Sequence, residues 1–115
     1  MLVIRKSGVK DEIREGYTIK RMVTFPIKSN LENVGLYLTN IPVGGKVSQH
    51  YHPKGMEILV FLKEGLLKSG KKEWMMKEGD IAVLKPGEVH EISGKAETEL
   101  IAIRMPNYKD DKIII

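Results

Sequence analysis

Residues 48–58 read SQHYHPKGMEI: two histidines, His50 and His52, separated by one residue, with Glu57 five positions beyond the second. Side chains at i and i+2 of an extended strand point to the same face, so both imidazoles aim at one volume if this stretch is a strand. Gly55 and Pro53 permit a bend that turns Glu57, at the start of the next strand, back toward the pair. The chain holds only one other histidine, His90, which follows the turn residues KPG on a separate segment. Neutral imidazole nitrogens and a carboxylate oxygen are the donor set of divalent transition metals such as Fe, Mn, Ni, Zn or Cu.

Outward from this stretch the chain reads as all-β. Runs rich in β-branched and aromatic residues occupy 17–25, 33–41, 57–62, 80–85 and 99–105, each bounded by Gly, Pro, Asn or Ser. Turn signals stand at PVGGK (42–46), HPKG (52–55), SGKK (69–72), KEGD (77–80) and KPGE (85–88). Helix is expected only near residues 9–15. The spacing predicts one sandwich or barrel of antiparallel strands.

Composition narrows the chemistry further. A chain of 115 residues with 42% apolar and 30% charged residues suits one soluble domain with one core. The absence of cysteine excludes disulfides, thiolate ligands and cysteine nucleophiles, so a metal must be held by nitrogen and oxygen. The formal charge of +4 comes from lysines scattered among glutamates, without an arginine cluster interleaved with aromatics, so nucleic acid is not the expected partner. The apolar run before Arg5 is too short for a signal sequence or a membrane span, which makes a cytoplasmic location the expectation. Both ends are apolar, MLVI and III, and their exposure would invite aggregation; burial in a homodimer is expected.

The histidine spacing resembles the two motifs of the cupin superfamily. In the first, G-x5-H-x-H-x3/4-E-x6-G, Gly44, His50, His52 and Glu57 fit in order, while Gly65 follows Glu57 after seven residues instead of six. In the second, G-x5-P-x-G-x2-H-x3-N, Gly79, Gly87 and His90 fit; Pro86 stands one place late, and Gly94 replaces the asparagine. The resemblance covers about residues 36–106. It implies an antiparallel double-stranded β-helix in which His50, His52, Glu57 and His90 hold one divalent transition-metal ion. The extra residue after Glu57 predicts a β-bulge in ILVFLKEG.

The expected organisation is one domain over 1–115, its barrel core about 33–106, with N-terminal strands (1–30) and a C-terminal tail (107–115) packing on it or on a partner. Four protein ligands leave open positions on an octahedral ion, which suits metal-dependent chemistry on a small organic molecule. Oxygen chemistry of the dioxygenase kind is slightly favoured, because an isomerase needs a positioned general base and no other histidine exists. The alternative is a binding or sensor module without turnover. Period two from Glu57 points Leu59 and Phe61 inward, and from His90 it points Ile92 inward. Tyr37, Phe61 and Arg104 are the candidate substrate contacts, whereas Met56, Trp74, Met75 and Met76 read as core or interface. The residues after Pro106 are too few for a helix-turn-helix, which disfavours a DNA-binding regulator.

Overall fold

The computed structural model describes residues 5–25, 34–108 and 110–115. Its strands are β1 (Asp11–Arg14), β2 (Tyr17–Phe25), β3 (Val34–Ile41), β4 (Lys46–Tyr51), β5 (Met56–Phe61), β6 (Gly65–Ser69), β7 (Lys72–Met76), β8 (Ile81–Leu84), β9 (His90–Ser93), β10 (Thr98–Met105) and β11 (Ile113–Ile114). All pairings are antiparallel. They form one sheet in the order β1-β2-β3-β10-β5-β8 and a second in the order β11-β4-β9-β6-β7. From β3 onward the chain changes sheet at every connection except the β6–β7 hairpin. It thus winds as a flattened helix of paired strands, the double-stranded β-helix. No helix among the described residues is long and apolar enough to cross a membrane.

Strict alternation builds the interior. In β3, β5 and β10 every second residue is buried, which turns Tyr37, Thr39 and Ile41, then Glu57, Leu59 and Phe61, then Thr98, Leu100 and Ala102 toward the other sheet. Register aligns them across strands: Ile41 with Thr98, Phe61 with Leu100, and Glu57 with Arg104. One end of the interior is therefore filled by Ile41, Phe61 and Thr98, all fully buried. The other end carries the polar groups.

Two local expectations are revised by pairing. Residues 9–15 contribute no helix: Gly16, at φ 87°, makes the reversal between β1 and β2. Cross-strand pairs of Lys20 with Asp11 (2.8 Å) and Arg21 with Glu12 (2.7 Å) hold that hairpin, although Ile13 on it stays exposed. The extra residue after Glu57 is absorbed later than the middle of ILVFLKEG. Register with β8 and β10 runs unbroken to Val60 and Phe61, respectively. The amides of Leu62 and Lys63 then both donate to the Glu99 carbonyl, at 2.8 and 3.0 Å, so two residues oppose one.

Of the terminal apolar residues, MLVI lies outside the described residues, and Ile113, Ile114 and Ile115 are exposed on the single chain.

Candidate metal centre

The strand that carries the histidine pair is not regular. Val47 pairs with Ile92 of β9, but the next pair is His50 with His90, so Ser48 and Gln49 together oppose Glu91. This bulge changes the parity of β4 and turns both Val47 and His50 inward, three residues apart. His52 follows the end of β4, and the Gly87 amide of the KPG turn donates to its carbonyl at 2.9 Å. His90 opens β9 in the same sheet, and Glu57 faces them from β5 in the other. All four side chains are buried, and one donor atom from each lies within 4.8 Å of the others.

Each imidazole has one nitrogen committed to a backbone carbonyl. His50 Nδ1 donates to Ser48 O (2.7 Å), His52 Nδ1 to Asp111 O (2.9 Å) and His90 Nδ1 to Glu88 O (3.1 Å). A carbonyl can only accept, so the proton sits on Nδ1 and the Nε2 lone pair is left for another partner. His52 Nε2 and His90 Nε2 are buried without any hydrogen-bond partner. They lie 3.5 and 3.2 Å from the two Glu57 carboxylate oxygens, lone pair toward lone pair. Such an arrangement is unfavourable when empty and complementary to a cation, which is the test this donor set passes. The four residues could hold a metal ion.

Electrostatics sets the matching protonation states. Burial pushes the His50 pKa down to about 3, helped by the nearby Lys112 charge. Burial also lowers His52, against the upward pull of Glu57. For Glu57, burial opposes ionisation, but its charged surroundings, the Arg104 guanidinium among them, outweigh it and hold the carboxyl well below the usual carboxylate range. The closest ion pair is Arg104 Nε to Glu57 Oε2 at 2.9 Å. His50 and His52 are thus neutral and the carboxylate ionised near neutral pH, the forms that bind metal.

A cavity of about 550 Å³ opens from this centre, lined by His50, Glu57 and His90 together with apolar Leu59, Ile92 and Leu100. Of the candidate substrate contacts, Tyr37 and Arg104 line it and Phe61 does not. Phe61 lies on the inward face of β5 as period two requires, but four residues along from Glu57, in the filled end. The Tyr37 hydroxyl donates to Asn107 Oδ1 (2.8 Å) and accepts from Arg21 Nη1 (3.1 Å). The guanidinium carbons of Arg21 and Arg104 lie 5.1 and 4.9 Å from its ring centroid. Trp74 and Met75 are half exposed and Met76 is buried in the core, so the first two are surface and the third packing.

Sequence reasoning missed the C-terminal wall. Asn107, Asp111 and Lys112 line the cavity, yet NYKDDK reads as a polar tail and carries no local signal of a site. Arg21 and Tyr17 were equally silent, because alternation in β2 does not say which strand will neighbour it.

No family model matches this sequence, and no curated protein matches it. Solved structures do. A predicted oxalate decarboxylase from Thermotoga maritima is 20% identical, with 92% of this chain and 100% of that one covered at a TM-score of 0.77. The polyketide cyclase RemF from Streptomyces resistomycificus is 15% identical, with 96% and 89% covered at 0.76. A sugar phosphate isomerase from a cupin superfamily, from Silicibacter pomeroyi, is 17% identical, with 95% and 82% covered at 0.74. These likenesses are of fold, and with the two-sheet winding around the inward-facing His50, His52, Glu57 and His90 they lead to one conclusion: this chain has the cupin fold.

Proposed function

We infer that His50, His52, Glu57 and His90 hold one divalent transition-metal ion, and that the chain uses it to transform a small organic molecule bound in the adjoining cavity. The observation that carries this reading is the pair of buried, partnerless Nε2 atoms aimed at the Glu57 carboxylate. Such an ion supplies Lewis-acid or redox chemistry. The protein's own share is to orient the ligands through Ser48, Glu88 and Asp111 carbonyls, to keep the carboxylate charged through Arg104, and to wall the ligand with Leu59, Leu100 and Tyr37.

Oxygen-dependent chemistry of the dioxygenase kind is favoured over isomerisation. An isomerase needs a free base at the substrate. Among the carboxylates lining the cavity, Glu57 is paired with Arg104, Asp111 accepts from the amides of Lys54 (3.1 Å) and Gly55 (2.8 Å), and Asp110 is exposed. The test is metal analysis of freshly purified protein, then reconstitution with Fe(II), Mn(II), Ni(II) and Zn(II). Catechols, diketones and sugar phosphates are offered while oxygen uptake and products are followed. Consumption of a substrate with one metal supports the reading. Tight ligands consumed with none would make the chain a binding module.

We also infer a homodimer. Pairing register lines up Val83, Ile58, Ile103 and Leu36 in one row across β8, β5, β10 and β3, and Ile81, Val60, Ile101 and Leu38 in the next. Both rows point away from the interior, and Ile81 and Val83 are 59% and 58% exposed. A sheet face this apolar fits a second copy of itself. Light scattering at micromolar concentration decides it, a monomer refuting the inference.

A further inference from the structure

The residues that close the cavity opposite the barrel strands belong to the C-terminal segment, which is tied down at every few residues. Asn107 accepts from Tyr37; the Asp111 carboxylate accepts from the amides of Lys54 and Gly55, and its backbone carbonyl accepts from His52 Nδ1. Beyond it, β11 pairs with β4, and the Ile115 amide donates to Gln49 O at 3.0 Å. Gly55 permits this closeness, since a Cβ there would stand 2.8 Å from the Pro106 carbonyl oxygen.

Lys112 is held between those anchors. Its Nζ donates to the Tyr17 hydroxyl and lies 5.0 Å from the centre of that ring, and its chain lines the cavity that His50 also lines. Four cations line this cavity: Arg14, Arg21, Arg104 and Lys112. Arg14 and Arg21 are paired with Glu12, and Arg104 with Glu57. Among the described residues, no carboxylate forms an ion pair with Lys112.

We propose that Lys112, with Arg104, forms an oxyanion subsite that holds the carboxylate or phosphate of a small organic ligand beside the metal. The inference rests on the metal reading above and extends it to ligand class. Charge balance points the same way: imidazoles that ligate a metal do so neutral, so Glu57 would be the single ligating anion and already answers Arg104, leaving a divalent ion and Lys112 without compensation. Tyr17 fixes the ammonium in place, which spares part of the ordering cost of binding. Charge-assisted hydrogen bonds to an ionised oxygen are the strong kind.

The test uses full-length protein loaded with Zn(II), its metal content measured per chain, and calorimetric titration with pyruvate, glycerol 3-phosphate and the neutral ester methyl pyruvate. The wild type is expected to bind at least one of the two anions more tightly than the ester, and which anion it prefers tells carboxylate from phosphate. Lys112→Met should weaken that binding about tenfold or more while Zn content stays unchanged, and Lys112→Arg should restore most of it. Circular dichroism on both variants confirms folding, and Tyr17→Phe gives a second, milder release of the ammonium. Equal affinity for anion and ester, or unchanged affinity in Lys112→Met, overturns the subsite and leaves the metal site standing. A wild-type protein that takes up none of Fe(II), Mn(II), Ni(II) and Zn(II) overturns both.

Discussion

The same strands build two unlike ends of the interior. On β5, Phe61 and Glu57 share a face four residues apart; on β10, Thr98 and Arg104 belong to the same two ends. At the filled end even the polar group is satisfied, since Thr98 Oγ1 donates to the Glu64 carbonyl at 2.7 Å. At the hollow end two buried ring nitrogens have no partner, and a cavity takes the place of side chains. Close packing with every polar atom paired stabilises, whereas convergent unpaired donors cost stability until something binds. The fold thus keeps its stabilising residues and its binding residues on one set of strands but at opposite ends.

Substitutions at the filled end should carry the largest effect on stability. Phe61→Ala is expected to cost about 3–5 kcal/mol in urea unfolding while metal stoichiometry in the folded protein stays at one, because it deletes a large side chain from a site with no solvent access. A parallel fall in metal stoichiometry would break the separation of the two ends.

At the hollow end the order reverses. His90→Leu should lower metal affinity by more than the roughly 10- to 100-fold that loss of an outer hydrogen-bond partner costs. Stability of the metal-free protein should hold or rise, since the orphaned Nε2 is gone. Competition with a chelating dye measures the first, and urea unfolding in EDTA the second. Wild-type affinity in the variant would return His90 to a packing role.

Acid should act on the hollow end and not on the filled one. His50 has a folded pKa of about 3 against its ordinary 6.5, so between those values the unfolded chain binds a proton that the folded chain refuses. Stability of the metal-free protein therefore falls as pH drops below about 6.5, by at most about 1.4 kcal/mol per pH unit for this one group. Glu57, lowered in the folded state, adds in the same direction as pH falls through the carboxylate range. Unfolding curves from pH 8 to pH 4 in EDTA check this; a flat profile would mean that His50 takes up its proton equally in the folded and unfolded chain.

The smallest effect on either end is expected from the outer face. Ile103→Asp, in the row of Val83, Ile58 and Leu36, should convert a dimer to a monomer by light scattering while leaving Zn(II) affinity within about twofold, because its side chain faces away from the interior.

Much of this architecture was legible in the sequence. Runs of β-branched residues at 17–25, 33–41 and 99–105 match β2, β3 and β10 within a residue at each end, and β3 and much of β10 show the alternation expected of strands. β6, β7 and β9 were harder to see, being short and rich in Gly, Lys, Glu and Ser. The four residues of the candidate centre could be chosen from spacing because three histidines are all the chain has.

The sequence by itself determined the all-β class, the inward parity of Glu57, Leu59 and Phe61, and the choice of His50, His52, Glu57 and His90 as candidate ligands. Those are local facts: side-chain period, turn chemistry and donor type are properties of neighbouring residues. Tertiary structure alone decided that a bulge at Ser48 and Gln49 turns Val47 and His50 to the same side, and that the inward Phe61 lies in the filled end. It also decided that Asp111 and Lys112 join a site some sixty residues away, His52 and Asp111 being 59 apart. Period two gives a side chain's face but not its depth along the strand or its neighbours across the sheet. Those depend on pairing between segments far apart in the chain, whose register only the closed fold establishes.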